Sequence, residues 1–583
     1  MRVSEALRII QGAPPDAEPF AALLACGCAP LHLKTFFCAH LQQSLPLRRV
    51  LVLEGLYGDL AGTLERRDQS FDAAAIMLEW SDLDARLGYR SAAPWTLAAT
   101  ADIVKSVAAA LSRIAAAIGN MDRSVRIALS LPSLPLPPLF HTNGTQASAA
   151  ELELSCQLAA FASQMSQVAQ RRGLAVINAQ RLAEESPAAG RFDLKSDLLI
   201  GFPYTLAHAD ALAAASARLL APPAPRKGII TDLDDTLWSG IVGELGPEGI
   251  GWDLNGHHHL HALYQNLLAS LSEQGTLVAV ASKNDPDLVK NAFTRSDLLL
   301  PAGRVFPFEV HWQSKSSSVS RILETWNIGA GDVIFVDDSA MELAEVESAH
   351  PGIQCIQFPR SDYAAGLAML RRIRDLCGKD RLTEEDTLRL DSIRQGAEFR
   401  GMAAEGAVSD SFLDQAQAVV TVDFAPSPED TRVLDLVNKT NQFNLNGIRR
   451  TDADWQAANL MPDAVVAVVS YADKFGPLGK IAVLQGCRDG TVLHVNTWVM
   501  SCRAFSRRVE YQCLRVLFDR FGLTGIGFDF AETPRNGPLQ EFFASLLGAR
   551  PTGHVTLSRP EFESRCPALF QRLVVTGEKT WTS

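Results

Sequence analysis

As far as Cys377 the chain alternates short apolar runs with longer amphipathic stretches, the pattern of a parallel sheet whose strands are joined by helices. VLVLEG (50–55), VRIALS (125–130) and LAVINA (174–179) read as strands, and LAATADIVKSVAAALSRIAAAIGN as a helix between them. The Pro-rich APPAP at 221–225 closes this block as a linker. From Gly228 the same alternation restarts with GIITDLD, TLVAVASKN, VIFVDD and IQCIQF. A polar stretch follows, in which Thr383 and Asp386 have capping-box spacing at the start of the helix TEEDTLRLDSIRQGAEFR. From about residue 406 the grammar changes. A strand (VVTVDF) and a helix (PEDTRVLDLVNKT) lead into the strands AVVAVVSY, KIAVLQG and VLHVNTWVMS. A helix (FSRRVEYQCLRVLFDRF), the strand GIGFDF and a last helix complete it, the pattern of an antiparallel α+β domain.

The expected organisation is a doubly wound α/β domain over 1–222, a second α/β domain with a Rossmann-like parallel sheet over 226–378, a helical linker over 379–405 and an α+β domain over 406–583. A chain of 583 residues is too long for one hydrophobic core. Composition changes this picture little: 47% of residues are apolar and no charge block runs long, so the chain is globular. The net charge of −12 argues against a nucleic-acid partner and requires any acidic partner to meet a local basic patch. No signal-type run occupies the first thirty residues, and no apolar stretch approaches the ~20 residues of a membrane span. The expectation is a soluble, cytoplasmic protein without a membrane partner. Ten cysteines without a framework spacing fit reduced thiols. Cys26, Cys28 and Cys38 lack a fourth ligand and read as structural. The run HHHLH at 257–261 reads as the solvated start of an amphipathic helix rather than a metal site.

Candidate chemistry concentrates in TDLDDTLW (231–238), where Asp232, Asp234 and Asp235 follow the apolar pair Ile229–Ile230. In a parallel sheet the carboxyl ends of strands converge on one crevice, and Asp232, Asp234, Ser282, Asp337 and Asp338 all fall at such ends. Clustered carboxylates repel unless a divalent cation sits among them, and Mg²⁺ prefers hard oxygen ligands together with phosphate. A carboxylate held beside Mg²⁺ and a phosphate can act as nucleophile, and a second one two residues along can serve as general acid and base. Ser282 and the ammonium of Lys315 would neutralise the phosphoryl oxygens. An acidic helix-capping turn accounts for Asp235 alone.

The order DxDxT, apolar strand ending in Ser, then Lys, then apolar strand ending in DD resembles the haloacid-dehalogenase-like phosphotransferases. That resemblance implies Asp232 as nucleophile, Asp234 as acid/base, and Thr236, Ser282, Lys283 and Lys315 as phosphate contacts. It implies a Mg²⁺ site drawn from Asp232, Asp234, Asp337 and Asp338. TDLDDTLWSGIVGELG, VAVASKND, HWQSK, FVDDSAMELAEV, VNKTNQFNLNGIRRT, DKFGPLG, NTWVMSCR and ETPRNGP are similar, more narrowly, to the FkbH-like branch, over roughly 226–583.

The FkbH-like resemblance implies a phosphatase-like domain followed by an acetyltransferase-like (GNAT-like) one. The substrate would be a phosphorylated three-carbon compound, 1,3-bisphosphoglycerate, and the product a glyceryl thioester on the phosphopantetheine thiol of an acyl carrier protein, in polyketide-type antibiotic biosynthesis. Cys502, in MSCR, is the candidate acyl relay, because a helix start with Arg503 and Arg507 nearby favours thiolate. The alternative is a buried core thiol like Cys513. In RAFSRR, Ser506 and Arg508 stand where coenzyme A binders carry glycines, so a carrier arm without pyrophosphate is expected instead. Arg503, Arg507 and Arg508, with Arg515, Arg449 and Arg450, form a candidate dock for an acidic carrier. The first block resembles an SGNH-hydrolase-like domain and is expected to be inactive. Its EGLYGDL lacks the serine nucleophile, and Thr205 replaces the aspartate three residues before His208. Two other readings stay open: a plain small-molecule phosphatase and a noncatalytic assembly module.

Overall fold

Three sheets carry the chain, which divides into two units, Met1–Ala224 and Pro225–Ser583. The structure is a computed structural model. It describes every residue except 67, 69, 92–95, 123, 139–144, 380, 381, 383–385, 387, 388, 395, 396, 398–409, 428, 429, 441, 462, 475, 502, 503, 506, 534, 535, 552 and 578–583.

The first unit holds β1 (Pro19–Cys26), β2 (Arg49–Glu54), β3 (Ala73–Met77), β4 (Arg126–Ser130) and β5 (Leu174–Val176). All pairs are parallel, in the order β2-β1-β3-β4-β5, the doubly wound arrangement expected. Sequence reading finds β2, β4 and β5 but misses β1 and β3. PFAALLAC and AAAIM are alanine-rich, and alanine is the best helix former, so local preference masks two buried strands.

The second unit begins with another parallel sheet: β6 (Gly228–Thr231), β7 (Leu277–Ser282), β8 (Val305–Val310), β9 (Val333–Asp337) and β10 (Gln354–Gln357). Its order is β10-β9-β6-β7-β8. Every residue of β6, β7 and β9 is buried, as strands covered on both faces require. The chain winds outward from β6 in one direction, then resumes at β9 on the other side. The ends of β6 and β9 therefore meet at the switch point, where such folds bind ligands. Close fit holds β6 in place, since a Cβ at Gly228 would lie 2.4 Å from the ring of Trp326.

The sheet that follows joins β11 (Val419–Asp423), β12 (Phe443–Asn444), β13 (Ala464–Asp473), β14 (Gly476–Asp489), β15 (Val492–Met500), β16 (Gly525–Phe528), β17 (Val555–Ser558) and β18 (Arg572–Thr576). β11, β13, β14 and β15 pair antiparallel, whereas β16 returns parallel to β15 after the helix Val509–Phe521. β15 and β16 pair only over Val492–Val495, and β15 then continues against β12. Asn446 spans the opening, donating through Nδ2 to Asn496 O at 3.0 Å and Asp529 O at 3.2 Å. Thr383 and most of the expected 379–405 linker lie outside the described residues. Asp386 is described, with its carboxylate between Lys379 and Arg389. Among the described residues no helix is long and apolar enough to cross a membrane.

Candidate active site

Asp232 follows the last residue of β6 and Asp337 ends β9, so neighbouring parallel strands deliver two carboxylates to one place. Lys315, the first residue of the helix Lys315–Trp326, reaches between them. Its Nζ lies 2.6 Å from Asp337 Oδ2 and 3.0 Å from Asp232 Oδ1. All three side chains are buried. Burial pushes the Asp232 carboxyl up to about 6; Lys315 pulls against this and Asp337 adds to it. Asp337 is likewise raised by burial, with Lys315 opposing. Burial works against the Lys315 ammonium, but Asp232 and Asp337 more than offset it and hold its pKa above the usual lysine value. One buried cation thus serves two buried acids.

Oxygens of Asp232, Asp337 and Asp338 lie within 4.8 Å of one another. Arg360 covers Asp338 from outside. Three hard oxygen donors with only Lys315 buried among them fit a Mg²⁺-sized cation, which would add the missing positive charge.

Asp234 does not join this cluster, contrary to its expected role as a metal-binding side chain. Its Oδ1 accepts from Trp238 Nε1 at 2.8 Å and Val242 N at 3.1 Å, and its Oδ2 from Asn284 Nδ2 at 3.0 Å. These donors turn the carboxylate away from the other three, a position suited to proton transfer at the site's edge. Ser282, at the end of β7, accepts from Asn284 Nδ2 at 3.0 Å, which leaves its own proton to donate. Thr236 Oγ1 is buried with no partner among the described residues. Lys283 points elsewhere, contrary to its expected phosphate contact: its ammonium pairs with Glu342 at 2.8 Å. Adjacent residues leaving a strand face opposite ways, and here Ser282 and Asn284 turn inward.

Sequence reasoning missed Asn284, Trp238 and Arg360. Asn284 stands in VASKND two residues after Ser282, the alternation that marks a shared face. Trp238 and Arg360 give no comparable signal. Asp235 has φ of 51° and closes a turn by accepting from Gly240 N at 2.8 Å, rather than capping a helix. His261 of the histidine run is buried, bonded through Nδ1 to Thr236 O at 2.9 Å and stacked on Phe358, which makes it structural.

No family model and no curated protein matches the chain. Among solved structures it is similar to the N-terminal part of the protein BF1531 from Bacteroides fragilis, which contains a phosphatase domain and was solved complexed with Mg. The identity is 18%, covering 64% of this chain and 98% of that one, with a TM-score of 0.50. At that identity the likeness shows a shared fold, an α/β arrangement with parallel sheets. A lipase, Lip_vut3, from a goat rumen metagenome matches at 14% identity over 35% of this chain and all of its own, with a TM-score of 0.20, too low to carry an argument.

Elsewhere the candidates fare unevenly. Cys502, Arg503 and Ser506 lie outside the described residues. Arg507 does not belong to an exposed dock: it is 2% exposed, with Nε 3.6 Å from Asp473 and its guanidinium over the Tyr471 ring. Arg508 adopts φ of 58° and pairs with Asp410 at 2.7 Å. Arg449 folds back on the carbonyls of Val437 and Thr440. Cys513 is a core thiol whose pKa burial raises.

In the first unit EGLYGDL lies at the end of β2, not of the first strand, which corrects the expected position of the nucleophile turn. β1 ends at Cys26, followed by Gly27 and Cys28. His208 is fully buried and held near pH 4 by burial, with Arg191 adding to the effect. Its Nε2 meets Ser133 Oγ at 2.8 Å and its Nδ1 meets Ser186 Oγ at 2.9 Å, so no carboxylate orients the ring.

Proposed function

We propose that the chain is a Mg²⁺-dependent phosphatase with Asp232 as nucleophile, and that it works as the FkbH-like resemblance implies. In that reading it takes an acyl-phosphorylated three-carbon acid such as 1,3-bisphosphoglycerate and passes the glyceryl group to the thiol of an acyl carrier protein. One observation carries the phosphatase reading: Asp232, Asp337 and Lys315 are buried together at the adjoining ends of β6 and β9. Asp232, Asp337 and Asp338 would hold the cation, which when bound supplies charge neutralisation for the phosphate.

Asp232 attacks phosphorus, the P–O bond to the leaving oxygen breaks, and Asp234 gives that oxygen its proton. Water then attacks the aspartyl phosphate, Asp234 takes its proton, and inorganic phosphate leaves. Lys315, Ser282 and Thr236 bind the phosphoryl oxygens, with Asn284 steering both Asp234 and Ser282. Three features support the GNAT-like reading of the last domain: an antiparallel meander, a helix crossing to a parallel strand, and a gap beyond Val495 where the two strands part. In the stretch QFNLN (442–446) Asn446 bridges that gap to Asn496 O and Asp529 O, and Asn444 holds the turn by accepting from Gly447 N.

Intact-protein mass spectrometry with 1,3-bisphosphoglycerate, Mg²⁺ and a pantetheinylated carrier tests both parts. The expected results are phosphate release that stops in chelator, a thioester on the carrier, and a hydroxylamine-sensitive glyceryl adduct on the enzyme that is lost in Cys502→Ala. Phosphate release that survives chelator refutes the metal-dependent aspartyl mechanism. Brisk release with an unloaded carrier leaves the plain phosphatase. A Cys502→Ala enzyme that still loads carrier at the normal rate makes Cys502 a core residue.

A further inference from the structure

The helix Leu194–Ile200 in the first unit is inside out. Asp197 is its one buried side chain, whereas Leu194, Leu198, Leu199 and Ile200 face solvent, the last two at 71% and 56% exposure. Helices bury their apolar face, and no described residue of the unit covers this one. The apolar surface also extends beyond the helix. Ala29 N donates to Gly201 O at 2.9 Å, which draws the start of the helix Leu31–Ser44, with the exposed Leu31, against the helix end. A Cβ built on Gly201 would lie 2.5 Å from the Tyr57 hydroxyl, which places that exposed ring beside Ile200. These six side chains form one surface at the carboxyl edge of the β2-β1-β3 strands.

We infer that this surface is a homodimer interface, covered by the same surface of a second copy of this chain. Area favours that occupant. At roughly 200 Å² per fully exposed large side chain, the six present on the order of 600 Å² of apolar surface, at the top of what monomers leave bare. A stable interface takes ~800 Å² from each partner, and this apolar surface alone supplies most of that. Charge favours it too. The rim carries both signs, with Lys195 on the helix and the exposed pair Lys34–Glu54 beside Leu31 and Tyr57. An acidic or basic partner finds no matching field there, whereas a two-fold axis lets lysine and glutamate of the two copies exchange partners.

Sedimentation velocity of the full chain from about 1 to about 100 μM tests the inference. The wild-type protein is expected to dimerise within that range. Leu199→Glu and, separately, Leu198→Lys are expected to weaken association at least about 100-fold while leaving phosphate release and the hydrogen-exchange protection of the β1 and β3 amides unchanged, which shows that both units are still folded. Leu460→Glu, at a side chain 83% exposed in the second unit, is expected to leave the dimer intact. Amides of 194–201 should gain protection from hydrogen exchange as concentration rises. A wild-type chain that stays monomeric at about 100 μM overturns the inference, whatever else it binds. So does undiminished dimerisation in both folded variants.

Discussion

Replacing Asp232 with asparagine should stabilise the metal-free protein while it abolishes turnover, because one buried charge does both jobs. The carboxyl rises from 3.8 to about 6, chiefly through burial, and the asparagine amide resembles its protonated form. At about 1.36 kcal/mol per pKa unit, the ionised side chain costs the fold about 3 kcal/mol at neutral pH. The direction in pH follows from the raised value. The folded state binds this proton more tightly than the unfolded chain, so its contribution is fully present below 3.8 and is lost as pH rises through about 6. In chelator at about pH 7.5, Asp232→Asn should gain about 2–3 kcal/mol over wild type, and the gap should close toward pH 4. Hydrogen exchange of the β6 and β9 amides reads this region apart from the first unit. Saturating Mg²⁺ should reverse the order, because wild type gains binding free energy and the variant, short of one ligand, gains less. An Asp232→Asn protein that is less stable than wild type in chelator refutes the electrostatic reasoning, and undiminished phosphate release refutes the nucleophile.

Two further changes probe the supports of the site. Asn284→Ala removes the donor shared by Asp234 and Ser282, and should lower kcat for phosphate release by about 10–100-fold, more than it changes KM, with a stability loss of about 1–2 kcal/mol by thermal melting. Gly228→Ala drives a methyl group to 2.4 Å from the buried Trp326 ring and should cost about 1–3 kcal/mol in denaturant titration, with KM unchanged in the protein that remains folded.

The central site was legible because its signal is local. An apolar strand followed at once by Asp, Ser or Asp tells both where the strand ends and what it carries, and β6, β7 and β9 all have that form. What was not legible depends on direction. Ser282, Lys283 and Asn284 are consecutive polar residues, and only the backbone's exit angle sends Lys283 to Glu342 and Asn284 to Asp234. Asp234 looked like a ligand by spacing; Trp238 and Val242, four and eight residues on, turn it aside. Arg507 looked like surface charge, yet it sits against Asp473 and Tyr471, a partnership set by β13, thirty-odd residues away in sequence. β1 and β3 were hidden because alanine suits a tightly covered strand as well as a helix.

Both parallel sheets gather polar side chains at their carboxyl edge, and what separates them is how completely those groups satisfy one another. In the first unit Glu79 accepts from Ser133 N and Oγ, Leu134 N and Tyr204 OH; both nitrogens of His208 are bonded; Arg191 donates to the carbonyls of Ser133 and Ser186. Burial even raises the Glu79 carboxyl to about 7, which lowers the cost of keeping it there without a cation. Among the described residues this network is closed on itself and holds the loops together. In the central sheet the balance runs the other way. Asp232, Asp337 and Asp338 converge around a single buried ammonium, and the Thr236 hydroxyl faces the same turn without a partner among the described residues. Such a cluster is costly on its own, and the cost falls only when something carrying positive charge and something carrying acceptor oxygens arrive together. A divalent cation with a phosphate meets both needs, which is why the unsatisfied edge, rather than the satisfied one, is the place to look for catalysis.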